Sequence, residues 1–131
     1  MKHLSLLAFV VMICTSCGSN EDSTVIADAQ RDLSIKPRLW KPVIKTNLFR
    51  TEIVEGPSFE LTNNSKTKSY HRIDLEVYFF DEAGNSLDTI MHREARNITA
   101  GKSLLVKYIS TASVDTRAKT AKAVIRHASS V

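Results

Sequence analysis

The sequence contains two cysteines, Cys14 and Cys17, and the neighbouring residues leave few reactions open to their thiols. They lie where the apolar run Leu4–Ile13 gives way to the polar segment Gly18–Asp22. A thiol at such a junction can be buried, form a disulfide with its neighbour, or mark the point where a leader is removed and lipid attached. Counted to Cys14, the apolar run of about 11 residues has the length of a signal-peptide core and falls well short of the ~20 residues of a membrane-spanning helix. Together with the basic Lys2, it predicts a leader that is cleaved.

The residues before Cys17 resemble the lipobox of bacterial lipoproteins. The small residues Thr15 and Ser16 precede the cysteine, as in that family, and Cys14 stands where the family usually has leucine. The resemblance implies that the Cys17 thiol receives a diacylglyceryl group and that a signal peptide, residues 1–16, is then cut away. No thiol would remain for a disulfide or for catalysis. The acyl chains would anchor the protein to a membrane.

Other interpretations of the N-terminus stay open at this point. The leader could be a plain secretory signal cut near Ser19, or residues 4–13 could form a core element of a cytosolic protein. In a lipoprotein, an aspartate after the cysteine retains the protein in the inner membrane, and Gly18 stands at that position here. For a Gram-negative source this implies the outer membrane. The segment Gly18–Asp22 also resembles the acidic signals for surface export of some Gram-negative groups, so the domain would face either the periplasm or the cell surface.

The rest of the chain carries the pattern of short β-strands. Residues 72–81 alternate with period two, which places Ile73, Leu75, Val77 and Phe79 on one face and predicts that this face is buried. The residue types of segments 81–85 and 99–103 are typical of turns.

Five further segments have strand character: residues 43–54, 58–64, 86–94, 104–109 and 120–128. We expect Leu104, Val106 and Tyr108 to share a face, and Ala121, Ala123 and Ile125 to point inward. Six or seven strands without a helical period predict an all-β fold, an antiparallel sandwich over residues 42–131. Residues 17–41 are predicted to be the acylated cysteine and a flexible tether, with Trp40 covering one end of the core.

Three segments resemble the FxLYD-type immunoglobulin-like domains of bacterial envelope proteins: Phe59–Ser65, Tyr70–Thr89 and Ile98–Tyr108. Phe80 stands where tyrosine is usual and Ala100 where proline is usual. The resemblance implies an immunoglobulin-like sandwich outside the cytoplasm, and its motif contains no catalytic residue.

The remaining candidates for chemistry are sparse. His71, His92 and His127 lie on different predicted strands without further ligands at metal-binding spacing, so no metal site is predicted. No nucleophile turn and no glycine-rich phosphate loop is present, with glycine only 4 of 131 residues. The sequence predicts neither an enzyme nor a cofactor. The net charge of +4 is too small, without an aromatic–basic stripe, to indicate nucleic acid.

The second face of residues 70–80 carries aromatic and charged residues together, a composition suited to binding. We expect contact residues Tyr70, Arg72, Tyr78 and Phe80, unless the opposite sheet or a loop covers the aromatic rings. The predicted function is a non-catalytic outer-membrane lipoprotein whose sandwich binds another envelope or surface protein. The alternatives are a receptor for a carbohydrate or another small ligand, and a purely structural spacer.

Overall fold

The computed structural model describes residues 27–131, which form eight β-strands after a helical segment at residues 27–32. The strands are β1 (Leu33–Pro37), β2 (Ile44–Thr46), β3 (Thr51–Ile53), β4 (Phe59–Asn63), β5 (Tyr70–Phe80), β6 (Ser86–Glu94), β7 (Ser103–Val106) and β8 (Thr120–Ser130). Within residues 27–131, no helix has the length and apolar character that crossing a membrane requires.

All strand pairs are antiparallel and fall into three groups. The first sheet has the order β1-β4-β7, the second sheet has the order β6-β5-β8, and β2 and β3 form a separate hairpin. The inner faces of the two sheets contribute to one apolar core, in which Phe59 and Leu61 of β4 join the central strand β5. The predicted fold class, an all-β antiparallel sandwich, is confirmed.

Strand β5 is the centre of the core because its alternation matches the pleat of the sheet. Its four predicted inward residues, Ile73, Leu75, Val77 and Phe79, are all 0% exposed. On the neighbouring strand β8, Ala123 and Ile125 are buried as predicted, and Ala121 packs against the core.

The two predicted turns are also confirmed. In the first, the Asp81 amide donates to the Asn85 carbonyl at 3.0 Å, and Gly84 has φ +83°. In the second, Gly101 has φ +73°. A positive φ costs glycine little and strains other residues, so the backbone of each turn favours glycine at these two positions.

The strand predicted at residues 43–54 is instead the β2–β3 hairpin. The side chain of Asn47 accepts hydrogen bonds from the amides of Phe49 and Arg50, both at 2.9 Å, and so closes a turn in the middle of the segment. An Asx turn of this kind ends a strand, although the flanking residues favour extended backbone. Two strands therefore replace one, which together with β1 explains why eight are present where six or seven were predicted.

The folded part of the chain begins earlier than the predicted boundary at residue 42. Strand β1 pairs with β4 from Leu33↔Asn63 to Pro37↔Phe59, and the buried Ala29 and Leu33 belong to the core. The tether prediction is therefore wrong over residues 29–37. Ala29 and Leu33 are buried in the core, and Ile35 packs against it. The predicted leader, Cys17 and the start of the tether lie outside the described residues.

Trp40 covers one end of the core, as predicted. Its ring meets Phe79 edge-on, with 5.7 Å between the ring centroids. Its indole Nε1 donates to the Glu55 carbonyl at 2.9 Å, which satisfies the polar atom of a half-buried ring.

Asn63, at the end of β4, connects two loops through a side chain that is 0% exposed. Its Nδ2 donates to the carbonyls of Lys68 and Ile98 at 2.7 and 3.2 Å, and its Oδ1 accepts from the Ser65 amide at 3.0 Å. The next residue, Asn64, is exposed and bonds only the Ser34 hydroxyl through its side chain, at 3.2 Å.

We expect Asn63→Ala to lower the free energy of unfolding by about 2–4 kcal/mol, because buried backbone groups lose their partners. Asn64→Ala is the matched control and should change it by less than about 0.5 kcal/mol. Urea unfolding of both variants makes the comparison. Equal effects of the two substitutions would contradict the role assigned to Asn63.

Candidate binding surface

The four predicted contact residues all lie on β5 but do not share a face. Tyr78 and Phe80 are half-buried on the outer face of the second sheet, and Arg72 is exposed. Tyr70 is 0% exposed and belongs to the core. Cys17, the predicted lipidation site, lies outside the described residues.

A bulge in β5 explains the misplaced tyrosine. The pairing of β5 with β8 shifts between His71 and Asp74, and Arg72 has φ +49°. Two residues therefore separate the inward Tyr70 from the inward Ile73, and the alternation on which the prediction rested is interrupted. The prediction that Tyr70 is a contact residue is wrong.

Tyr70 instead bonds the N-terminal part of the described chain. Its hydroxyl donates to Oδ2 of Asp32 at 2.5 Å, and Asp32 is only 8% exposed. The Tyr70 hydrogen bond holds the pKa of Asp32 below its ordinary value, and burial raises the pKa of Tyr70. Beside them, Lys68 Nζ lies 2.7 Å from Asp28, so both carboxylates of the helical segment bind the start of β5 and the loop before it.

The outer face of the second sheet is dominated by paired charges. Arg93 donates to both carboxylate oxygens of Asp74, at 2.6 and 2.9 Å. Arg126 pairs with Glu76 and also donates to the Tyr78 hydroxyl at 2.7 Å. These arginines hold the pKa values of Asp74 and Glu76 below their ordinary values. The hydroxyl of Tyr78 is already hydrogen-bonded to Arg126, so a ligand there would have to share or replace that bond.

The largest exposed apolar residues gather elsewhere, at the end of the sandwich that carries the β2–β3 hairpin. We call this the hairpin end and define it as residues 38–58 and 107–111. Seven of the nine large apolar side chains that are exposed within the described residues belong to it: Leu39, Val43, Ile44, Leu48, Phe49, Val54 and Tyr108. Exposed apolar residues that cluster in this way mark interaction sites far more often than isolated ones do.

The tip of the hairpin is the most exposed part of this surface. Leu48 and Phe49 are 97% and 94% exposed. The Asn47 side chain binds the amides of Phe49 and Arg50, and the Asn47 amide donates to the Arg50 carbonyl at 2.9 Å. These bonds hold the turn in one conformation, so both apolar side chains are presented outward by a defined backbone.

A second loop, residues 107–111, packs against the base of the hairpin. A Cβ on Gly56 would stand 2.1 Å from the carbonyl oxygen of Ile109, so only glycine allows this approach. The Thr111 hydroxyl donates to the Ile53 carbonyl at 3.0 Å. A groove of about 750 Å³ runs between Val54–Ser58 and Lys107–Thr111.

Tyr108 is 94% exposed and has φ +59°, a backbone conformation unusual for a tyrosine. Strand β7 ends at Val106, so Tyr108 does not share a face with Leu104 and Val106, and that prediction is wrong.

The chain enters the sandwich at the opposite end. The helical segment at residues 27–32 binds Lys68 and Tyr70, and the Asn64 amide donates to the Asp32 carbonyl at 2.7 Å. Strand β1 then runs the length of the first sheet and delivers the chain to the hairpin end at Pro37.

No metal centre is formed by the described part of the chain, where no three histidine, cysteine or acidic side chains come together. His71 has a buried Nδ1 without a hydrogen-bond partner, and His127 Nε2 lies 3.5 Å from the Ser129 hydroxyl.

Sequence reasoning missed the hairpin end because the segment 43–54 was interpreted as one strand. The signal that could have found it is Asn47-Leu48-Phe49-Arg50, in which a turn former is followed by two large apolar residues. Polar or glycine residues usually occupy such turn positions.

Comparisons with models of protein families, with curated proteins and with solved structures found no match to this chain. The resemblances to lipoproteins and to FxLYD-type domains stay predictions.

We expect Tyr70→Phe to lower the free energy of unfolding at neutral pH by about 1.5–3 kcal/mol, because it removes a hydrogen bond to a charged, buried Asp32. The matched control, Tyr78→Phe, removes a hydroxyl from an exposed pair and should cost less than about 1 kcal/mol.

The cost of Tyr70→Phe should also depend on pH. The bond lowers the pKa of Asp32 in the folded state, so its contribution is present above the unfolded pKa and is lost as pH falls through the folded one. The difference between wild type and Tyr70→Phe should therefore shrink below about pH 3.9. A difference that stays constant or grows on acidification would contradict this account.

Proposed function

We propose that this protein is a non-catalytic lipoprotein of the bacterial cell envelope, anchored through Cys17, whose β-sandwich binds another envelope or surface component through its hairpin end. The observation that carries the binding part is the exposure of Leu48 and Phe49, 97% and 94%, on a turn held by Asn47. Exposed side chains of this size cost solubility, and a binding role gives a reason for keeping them.

The position of the chain's entry supports the anchoring part of the proposal. Acylation at Cys17 would attach the protein to a bilayer through residues that precede Ala27. Ala27 belongs to the helical segment bound by Tyr70 and Lys68, at the end of the first sheet opposite the hairpin. The anchor and the binding surface would then occupy opposite ends of one domain.

The hairpin end is a better candidate than the outer face of the second sheet, where the predicted contact residues Tyr78 and Phe80 lie. Those two side chains are half-buried, and the carboxylates of the same face, Asp74 and Glu76, are already paired with Arg93 and Arg126. A partner at that face would have to compete with existing ion pairs, whereas Leu48 and Phe49 offer apolar surface without such competition.

We expect a photoreactive benzoylphenylalanine at position 49 to form cross-linked adducts in intact cells, because a bound component would cover this side chain. Thr89 is exposed on strand β6 and provides the matched position away from the hairpin. The readout is the yield of adducts after irradiation, with the anchored full chain in its own membrane.

Adducts from position 49 without adducts from position 89 support the proposal. No adduct from position 49, or equal yields from the two positions, would refute the surface named here. Since both side chains are exposed, thermal unfolding should give the same midpoint for both variants and exclude misfolding as the cause.

A further inference from the structure

We infer that the component bound by the hairpin is a lipid surface, with Leu48 and Phe49 inserting among the acyl chains and nearby lysines contacting anionic headgroups. This inference rests on the proposed function and names its ligand class. Three observations lead to it: the shape of the tip, the charge of the segment that carries it, and the hydrogen bonds that hold its turn.

The shape of the tip favours lipid over a protein pocket. Two adjacent side chains project from a narrow turn, and both are almost fully exposed. A stable protein interface buries about 800 Å² on each partner, so a protein bound at the tip would also have to cover much of the rest of the hairpin end. A bilayer interface accepts a small apolar projection without needing a complementary pocket, and aromatic and leucine side chains are the types that enter it.

The charge of the segment fits an anionic surface. Residues 36–51 contain five basic residues and no acidic one: Lys36, Arg38, Lys41, Lys45 and Arg50. Arg38 and Arg50 pair with Glu60 and Glu52. Lys45 lies on β2 opposite Glu52, and Lys41 precedes the base of the hairpin. Among residues 27–131, no carboxylate lies within ion-pair distance of either lysine. Lysines beside an inserting loop attract anionic headgroups.

The turn is ordered before it meets a ligand. The Asn47 side chain accepts hydrogen bonds from the amides of Phe49 and Arg50. In the adjoining pair of strand residues, the hydroxyls of Thr46 and Thr51 lie 3.2 Å apart. The amides of Asn47, Phe49 and Arg50 are therefore bonded within the turn, which lowers the cost of moving these groups to the edge of a bilayer.

The reach of the chain allows contact with the membrane that holds the anchor. Nine residues lie between Cys17 and Ala27, and the ten steps from one Cα atom to the other span at most about 35 Å when extended. The eleven residues of β5 measure about 36 Å, so the domain can lie along the bilayer and bring its far end to the surface.

The test places a fluorophore at the tip of the full chain. Cys14→Ser and Cys17→Ser leave Leu48→Cys as the single thiol, which is labelled with the polarity-sensitive dye NBD. Because the apolar run Leu4–Ile13 can itself associate with lipid, the readout must be local to the tip. The matched control carries the label at Lys66→Cys, an exposed position in the loop after β4 at the opposite end.

Vesicles of phosphatidylglycerol and phosphatidylethanolamine should shift the emission at position 48 to shorter wavelength and leave position 66 unchanged. Vesicles of phosphatidylcholine alone should give a weaker response at position 48. Adding Phe49→Asp should raise the lipid concentration for half-maximal response at least about tenfold, since it replaces a large inserting side chain by a charge.

If the NBD label at position 48 keeps the emission wavelength of the vesicle-free protein with both kinds of vesicle, the inference is overturned. Equal responses on the two kinds would contradict the part assigned to the lysines. If position 48 stays in water while position 49 cross-links to a protein in cells, the lipid inference is wrong and the proposed function stands. If position 49 gives no adduct either, both fall.

Discussion

A buried carboxylate needs partners, and Asp32 has two: the Arg31 guanidinium beside it in the helical segment and the Tyr70 hydroxyl at the start of the central strand. Of these two bonds, only the one to Tyr70 joins the helical segment to the sheet. That bond decides where the N-terminal part of the chain joins the sandwich. Together with the Lys68–Asp28 ion pair it fixes the helical segment at one end, so that β1 must cross the first sheet before the hairpin begins. The separation of the two ends follows from this constraint, and the functional proposal depends on that separation.

The two ends follow opposite physical rules. At the entry end, buried polar side chains hold the loops together: the Asn63 side chain bonds the loop before β5 and the loop before β7, and the Tyr70 hydroxyl bonds Asp32. At the hairpin end, large apolar side chains are exposed on a turn closed by the Asn47 side chain and on a loop bonded to the hairpin through Thr111. Buried polar contacts thus lie at the entry end, and exposed apolar side chains lie at the hairpin end. This arrangement would suit an anchor at the entry end and a binding surface at the hairpin end.

Much of the fold could be predicted because β5 is regular. The seven residues from Ile73 to Phe79 alternate strictly between the two faces of the sheet. Glycines mark both confirmed turns. The candidate site was not predicted, since it depends on departures from regularity. The bulge at Arg72 turns Tyr70 inward, and the side chain of Asn47 splits a strand pattern into a hairpin. Strand β1 was missed because its apolar residues are few, and only pairing with β4 makes it a strand.

The most direct test of the account is the intact mass of the protein purified from its own cells. The account requires that the entry end leads to a membrane anchor, so the mass should correspond to a chain that begins at Cys17 and carries acyl groups. A free Cys17 thiol, or a chain that keeps its first sixteen residues, would contradict it, because the hairpin end would then have no anchored end to oppose.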